Sequence, residues 1–85
     1  MPEKKASDIL LSLAYKDLRV WRLNDGTICV VYDGADIKDG PFLVHEFGRG
    51  RTFEEACTDY LDRIRGKTLV FNALTDRRYE VTVLG

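Results

Sequence analysis

Residues 48–55, Gly-Arg-Gly-Arg-Thr-Phe-Glu-Glu, set two glycines and two arginines directly before a helix start. Backbone amides opened by glycine at a helix N-terminus bind phosphate, and Arg49 and Arg51 would add charge to such a cradle. Arg77 and Arg78 would join them in one anion contact if the C-terminal hairpin folds beside the loop. The next residues oppose this chemistry. Glu54 and Glu55 fill the first helical turn, setting anion against anion, and no lysine stands where a P-loop needs one. The stretch reads better as a tight turn between strand and helix with two solvated arginines.

The other chemistry-bearing residues give weaker patterns. His45 is the single histidine and lies beside Glu46 on an apolar run, with no serine or cysteine motif for it to serve as a base. It reads as structural or partly buried. Asp33, Asp36 and Asp39 imitate a calcium loop without its D-x-D-x-D-G run and distal glutamate. Cys29 and Cys57 sit in apolar runs without a CxxC and read as small buried hydrophobes. One histidine and two scattered cysteines do not make a zinc site. No catalytic residue, metal or cofactor is therefore assigned, and the chain reads as a non-enzyme.

Length and charge narrow the class. Eighty-five residues make a single domain, 1–85, with a thin core that association with a second copy would reinforce. Thirteen basic and 14 acidic residues leave a formal net charge of −1, which gives no footprint for nucleic acid or an anionic membrane. No apolar run approaches the roughly 20 residues of a membrane span. Without a signal peptide pattern, the expected location is the cytoplasm.

The elements that would position these residues follow from periodicity. Ser7 reads as the cap of a short amphipathic helix over 7–15, with Ile9, Leu10, Leu13 and Ala14 on one face. Two β-rich runs, 18–23 and 27–33, flank Asn24-Asp25-Gly26, a hairpin signal. The second run, Ile-Cys-Val-Val-Tyr, is apolar on both faces and should be central. Residues 34–41 read as an exposed loop and 42–47 as a third strand.

Thr52-Phe53-Glu54-Glu55 is a capping box, followed by Phe53, Ala56, Cys57, Tyr60, Leu61 and Ile64 at helical spacing. Gly66 supplies the stop to this helix, 52–65. Strands at 68–73 and 79–84 close the chain, the last wet on one face and suited to an edge. The fold class is α+β, α-β-β-β-α-β-β, an antiparallel sheet with helix 52–65 packed on one face.

Trp21 stands between arginines on a strand with apolar residues on both faces. Tryptophan and arginine are enriched at interface hot spots. Trp21, Arg22 and Tyr79 are therefore the candidate partner-binding residues, and the partner is a protein or a second copy of the chain.

The run Asn24–Gly34, a third strand, and then Gly50, Thr52, Glu54, Glu55 and Ala56 resemble the strands and helix start of HicB-type antitoxins over residues 18–66. The chain is also similar to small phage proteins with a sheet sandwiched between helices. The resemblance implies an antitoxin neutralising a small ribonuclease. HicB-type chains usually carry a D-L-P-G-C segment before the helix loop, where residues 35–50 here read ADIKDGPFLVHEFGRG, and usually add a C-terminal DNA-binding module where this sequence reads as a hairpin, so repression of DNA is not implied. The α-β-β-β-α order also resembles a double-stranded-RNA-binding domain. That fold grips phosphate with lysines where this chain places Glu54 and Glu55.

The expected function is that of a small non-catalytic intracellular binding protein, phage- or prophage-encoded, acting by protein–protein interaction as a homodimer. The alternatives are the HicB-like antitoxin and the double-stranded-RNA-binding-like module.

Overall fold

Helix α2, Phe53–Ile64, carries the strongest pattern in the sequence, and the rest of the fold is arranged around it. The computed structural model describes residues 5–13 and 17–84. Thr52 caps α2, its hydroxyl oxygen accepting the Glu55 amide at 3.1 Å. Ala56, Cys57, Tyr60, Leu61 and Ile64 are buried along one face. Burying each of the larger of these side chains is worth roughly 1.5–3 kcal/mol. Phe53, the first residue of the expected stripe, is 37% exposed and so stands at its rim. Gly66, at φ +71°, ends the helix as expected.

The strands form two antiparallel sheets. In the first, β1 (Leu18–Arg22) and β5 (Gly48–Gly50) flank β2 (Ile28–Tyr32). The Asp25-Gly26 hairpin and the central position of β2 are as the sequence predicts, and Cys29 through Tyr32 are all buried. The second sheet has the order β4 (Phe42–Val44), β3 (Ala35–Asp39), β6 (Thr68–Phe71), β7 (Tyr79–Thr82). The last strand lies at an edge, as its alternating polarity requires.

Both helices fall where the α+β reading puts them, but the middle of the chain holds more strand than the sequence reveals. Residues 35–39, read as loop, form β3, because Ala35 and Ile37 point inward while Asp36, Lys38 and Asp39 stay outside or at the rim. The strand read at 42–47 ends at Val44. Gly48–Gly50, read as a turn, pairs with β2 as β5.

Helix α1, Ala6–Leu13, starts one residue before the expected cap; positions 14 and 15 of the expected helix lie outside the described residues. Ser7 is not a cap but a buried residue inside α1, and its N–H and hydroxyl both donate to the Glu54 carboxylate on α2. A glutamate of one helix thus satisfies an orphan donor of the other. This explains how eight residues, too few for an isolated helix, stay helical.

Tyr32 joins the layers. Its hydroxyl donates to the Leu10 carbonyl oxygen at 2.7 Å, and its backbone N–H donates to the Tyr60 hydroxyl oxygen at 3.1 Å. Its ring meets Tyr60 edge-on at 5.6 Å and packs on Phe71 of the second sheet at 6.2 Å. The core therefore runs without a break from Leu10 through α2 and β2 to Ile37, Leu69 and Phe71.

Candidate interaction site

The Gly-Arg-Gly stretch is shaped by packing. Gly48 and Gly50 lie on the face of the first sheet that carries α2, and the strand touches the helix backbone there. A Cβ on Gly48 would stand 2.2 Å from the Ala56 carbonyl oxygen, and one on Gly50 would stand 2.5 Å from the Ala56 nitrogen. Only glycine allows that approach. Arg49, between them, points to the opposite face, where its guanidinium lies 4.6 Å from the Phe47 ring centroid. Phe47 packs on Trp21 at 5.4 Å.

The four arginines of the anion reading divide between the two sheets. Arg49 stacks on Phe47, and Arg51 donates to the Asp25 carbonyl oxygen at 3.1 Å. Arg77 and Arg78 lie on the β6–β7 connection, where Arg78 reaches Glu80 at 3.3 Å and the Arg77 amide donates to Thr75. At the start of α2, Thr52 takes the Glu55 amide, and Glu54 turns its carboxylate to Ser7.

The expected partner-binding residues do not form one surface either. Trp21 and Arg22 are consecutive on β1 and face opposite sides of the sheet. Trp21 covers the buried Cys29 side with Phe47, whereas Tyr79 belongs to β7 and stacks on Phe71 at 4.9 Å. His45 is exposed rather than partly buried, and its Nδ1 lies 3.2 Å from an Asp36 carboxylate oxygen. Cys29 and Cys57 are buried free thiols. Burial, and secondarily the charge of Glu54, pushes the Cys57 thiol up to about 11, which holds it protonated and unreactive.

The sheet edges differ in a way the sequence does not announce. An edge strand offers unpaired backbone groups and must be defended or used. On β5, the Arg49 N–H donates to Asp59 of α2 at 2.9 Å, and Asp59 is held in turn by Arg63 at 3.0 Å. On β1, Arg19 and Arg22 interrupt the apolar residues, with Arg19 4.0 Å from Asp33. On β7, Glu80 is bridged by Lys38 and Arg78, each at 3.3 Å. On β4, Phe42, Leu43 and Val44 are all apolar and are 70%, 39% and 37% exposed.

Leu74 and Leu84 are more exposed still, but each is a single residue outside the sheets. An open depression of about 590 Å³ between α1, α2 and the end of β7 is lined mainly by Ile9, Leu13, Leu61, Val83 and Leu84, with Arg65 the one charged side chain among the described residues that line it. Among the described residues no helix is long and apolar enough to cross a membrane.

Nothing in the sequence singles out Phe42–Val44, because a β-rich run reads alike whether its faces are covered or bare. The signal was the contrast with the arginines and glutamates on the other edge strands. No known protein family, no curated protein and no solved structure matches the chain.

Proposed function

We propose that this chain is a non-catalytic binding protein that works by contact with another protein, through the β4 edge. The observation that supports it is the apolar edge strand Phe42–Val44, which carries no charged side chain of its own, with Phe42 the most exposed large hydrophobic residue in either sheet. Strand addition at such an edge takes affinity from main-chain hydrogen bonds and specificity from alternate side chains. An antitoxin acting on a small ribonuclease in the cytoplasm, as the HicB-type resemblance implies, is one form of this reading.

The test is a photo-crosslinking amino acid at position 42, with position 74, which is more exposed still, as the control. Protein adducts formed from 42 and not from 74 support contact through β4. Equal yields at both positions, or none at 42, reject it.

A second reading has its own observation. Arg49 on Phe47, with Trp21 beside them, is an aromatic and cationic group on the outer face of the first sheet. Single-stranded nucleic acid binds such faces by stacking and charge. Salt-sensitive retention of an oligonucleotide, lost in Trp21→Ala and Arg49→Ala, would move the function there.

A further inference from the structure

We infer that the outer face of the first sheet holds a cleft for a single nucleotide, a planar base carrying a phosphate. This rests on the nucleic-acid reading of that face and names the unit it would take. Three observations lead to it.

The first is shape. Arg19 and Trp21 of β1 and His45, between β4 and β5, line a cleft of about 310 Å³ over Val31, Tyr32 and Gly34. That volume is at the low end of small-molecule sites and suits one ring with its substituents. The second is the character of the walls. Trp21 lies opposite Cys29 and Arg19 opposite Val31, so both side chains share the face away from α2. Phe47 backs Trp21 at 5.4 Å and meets His45 at 6.3 Å. Asp36 engages the His45 Nδ1 at 3.2 Å, which steadies that ring. Bases of every kind stack on such side chains, because each has a π-face.

The third is charge. Among the described residues that line the cleft there is an arginine, Arg19, and no carboxylate. The ion pair of Arg19 with Asp33 is 4.0 Å long and both side chains are more than half exposed, so it holds Arg19 weakly. A neighbouring cleft of about 260 Å³ shares His45 and adds Glu46, Phe47, Arg49 and Arg63. There Glu46 is taken by Arg63 at 3.0 Å. The Arg49 guanidinium, stacked on Phe47, pairs with no carboxylate among the described residues. An arginine thus stands on either side of the aromatic walls, and its planar fork matches a phosphate. An uncharged ring would use neither arginine.

Trp21 is the only tryptophan in the chain, so its fluorescence reports on this cleft. The test is its titration with adenosine 5′-monophosphate, adenosine, benzoate and a short single-stranded oligothymidylate. The expected result is saturable quenching by the monophosphate with a Kd below about 1 mM, at least about tenfold tighter than for adenosine or benzoate. Arg19→Ala should weaken the monophosphate at least about tenfold and leave adenosine unchanged. Its side chain is exposed, so the variant should fold, with circular dichroism as the check. Arg77→Ala, on the β6–β7 connection, removes the same charge elsewhere and should bind as the wild type does. His45→Ala should weaken adenosine and its monophosphate alike, since it removes a wall and no positive partner of the phosphate.

A monophosphate that leaves Trp21 unquenched overturns the inference, as does binding of adenosine or benzoate equal to that of the monophosphate. Equal losses in Arg19→Ala and Arg77→Ala also overturn it. If the oligothymidylate quenches and the monophosphate does not, the stacking face stands and the one-nucleotide cleft falls. If the monophosphate alone binds, the cleft serves free nucleotides and the reading of a bound strand falls. Binding of both extends the cleft to a nucleotide within a strand. If neither binds, both readings fall.

Discussion

Gly48 and Tyr60 meet so closely that a Cβ on Gly48 would stand 2.5 Å from the Cβ of Tyr60. The obstacle on the other side is the Ala56 carbonyl oxygen, which belongs to the helix backbone and cannot rotate away. Gly48→Ala must therefore lift β5 off α2. We expect a loss of about 3 kcal/mol or more in urea unfolding. Arg49→Ala, on the outward face of the same strand, should cost less than about 1 kcal/mol. Similar losses for the two would contradict the close approach.

Tyr60→Phe tests the link between α2 and β2. The change leaves the buried Tyr32 amide without the hydroxyl it donates to, at a cost of about 1–3 kcal/mol. Burial also raises the Tyr60 hydroxyl from its ordinary 10.0 to about 12. The folded state thus keeps a proton that the unfolded chain gives up. The stabilisation is complete below pH 10 and is lost as pH rises through 12. Denaturation midpoints should fall over that window in the wild type and fall less in Tyr60→Phe; parallel slopes would contradict this.

Glu54 ties the helices together. Glu54→Ala removes the acceptor of both Ser7 donors, and we expect a cost of about 1–3 kcal/mol, concentrated in α1. Hydrogen exchange should show the amides of residues 9–13 losing protection while those of α2 keep most of theirs. Uniform loss along the chain would mean that Glu54 does not hold α1 in this way.

The thiols give a chemical readout. Cys29 and Cys57 are fully buried, and Cys57 is held protonated well above neutral pH. A thiol reagent at pH 8 should label neither in the folded protein faster than the chain opens. In urea both should react at once. Rapid native labelling of Cys57 would show that α2 does not cover it as described.

Much of this fold was legible where a residue's neighbours along the chain decide its place. Thr52 and the Ala56–Ile64 stripe define α2, and Asp25-Gly26 defines the first hairpin. What stayed hidden depends on contacts distant in sequence. Ala35-Asp36-Ile37-Lys38-Asp39 looks like loop because only two residues point inward, and β6 supplies the pairing that makes it a strand. Gly48 and Gly50 are poor strand formers in isolation and are required because α2 lies against them.

Ser7 resembles a cap until Glu54, 47 residues later, takes both its donors. The grouping of Trp21, Arg22 and Tyr79 failed on geometry: adjacent strand residues face opposite ways, and Tyr79 belongs to the other sheet. Phe42–Val44 was hidden because sequence shows that a strand is apolar, not whether anything covers it.

The bonds of Tyr32 also bear on how quickly the chain reaches this structure. Two of its hydrogen bonds span 22 and 28 residues, one reaching back to α1 and the other forward to α2. Docking either helix on Tyr32 therefore joins segments distant in sequence. Closing such loops costs chain entropy before any contact rewards it. With strand pairings that are also non-local, folding should proceed at rates nearer those of mixed α/β domains than of helical bundles.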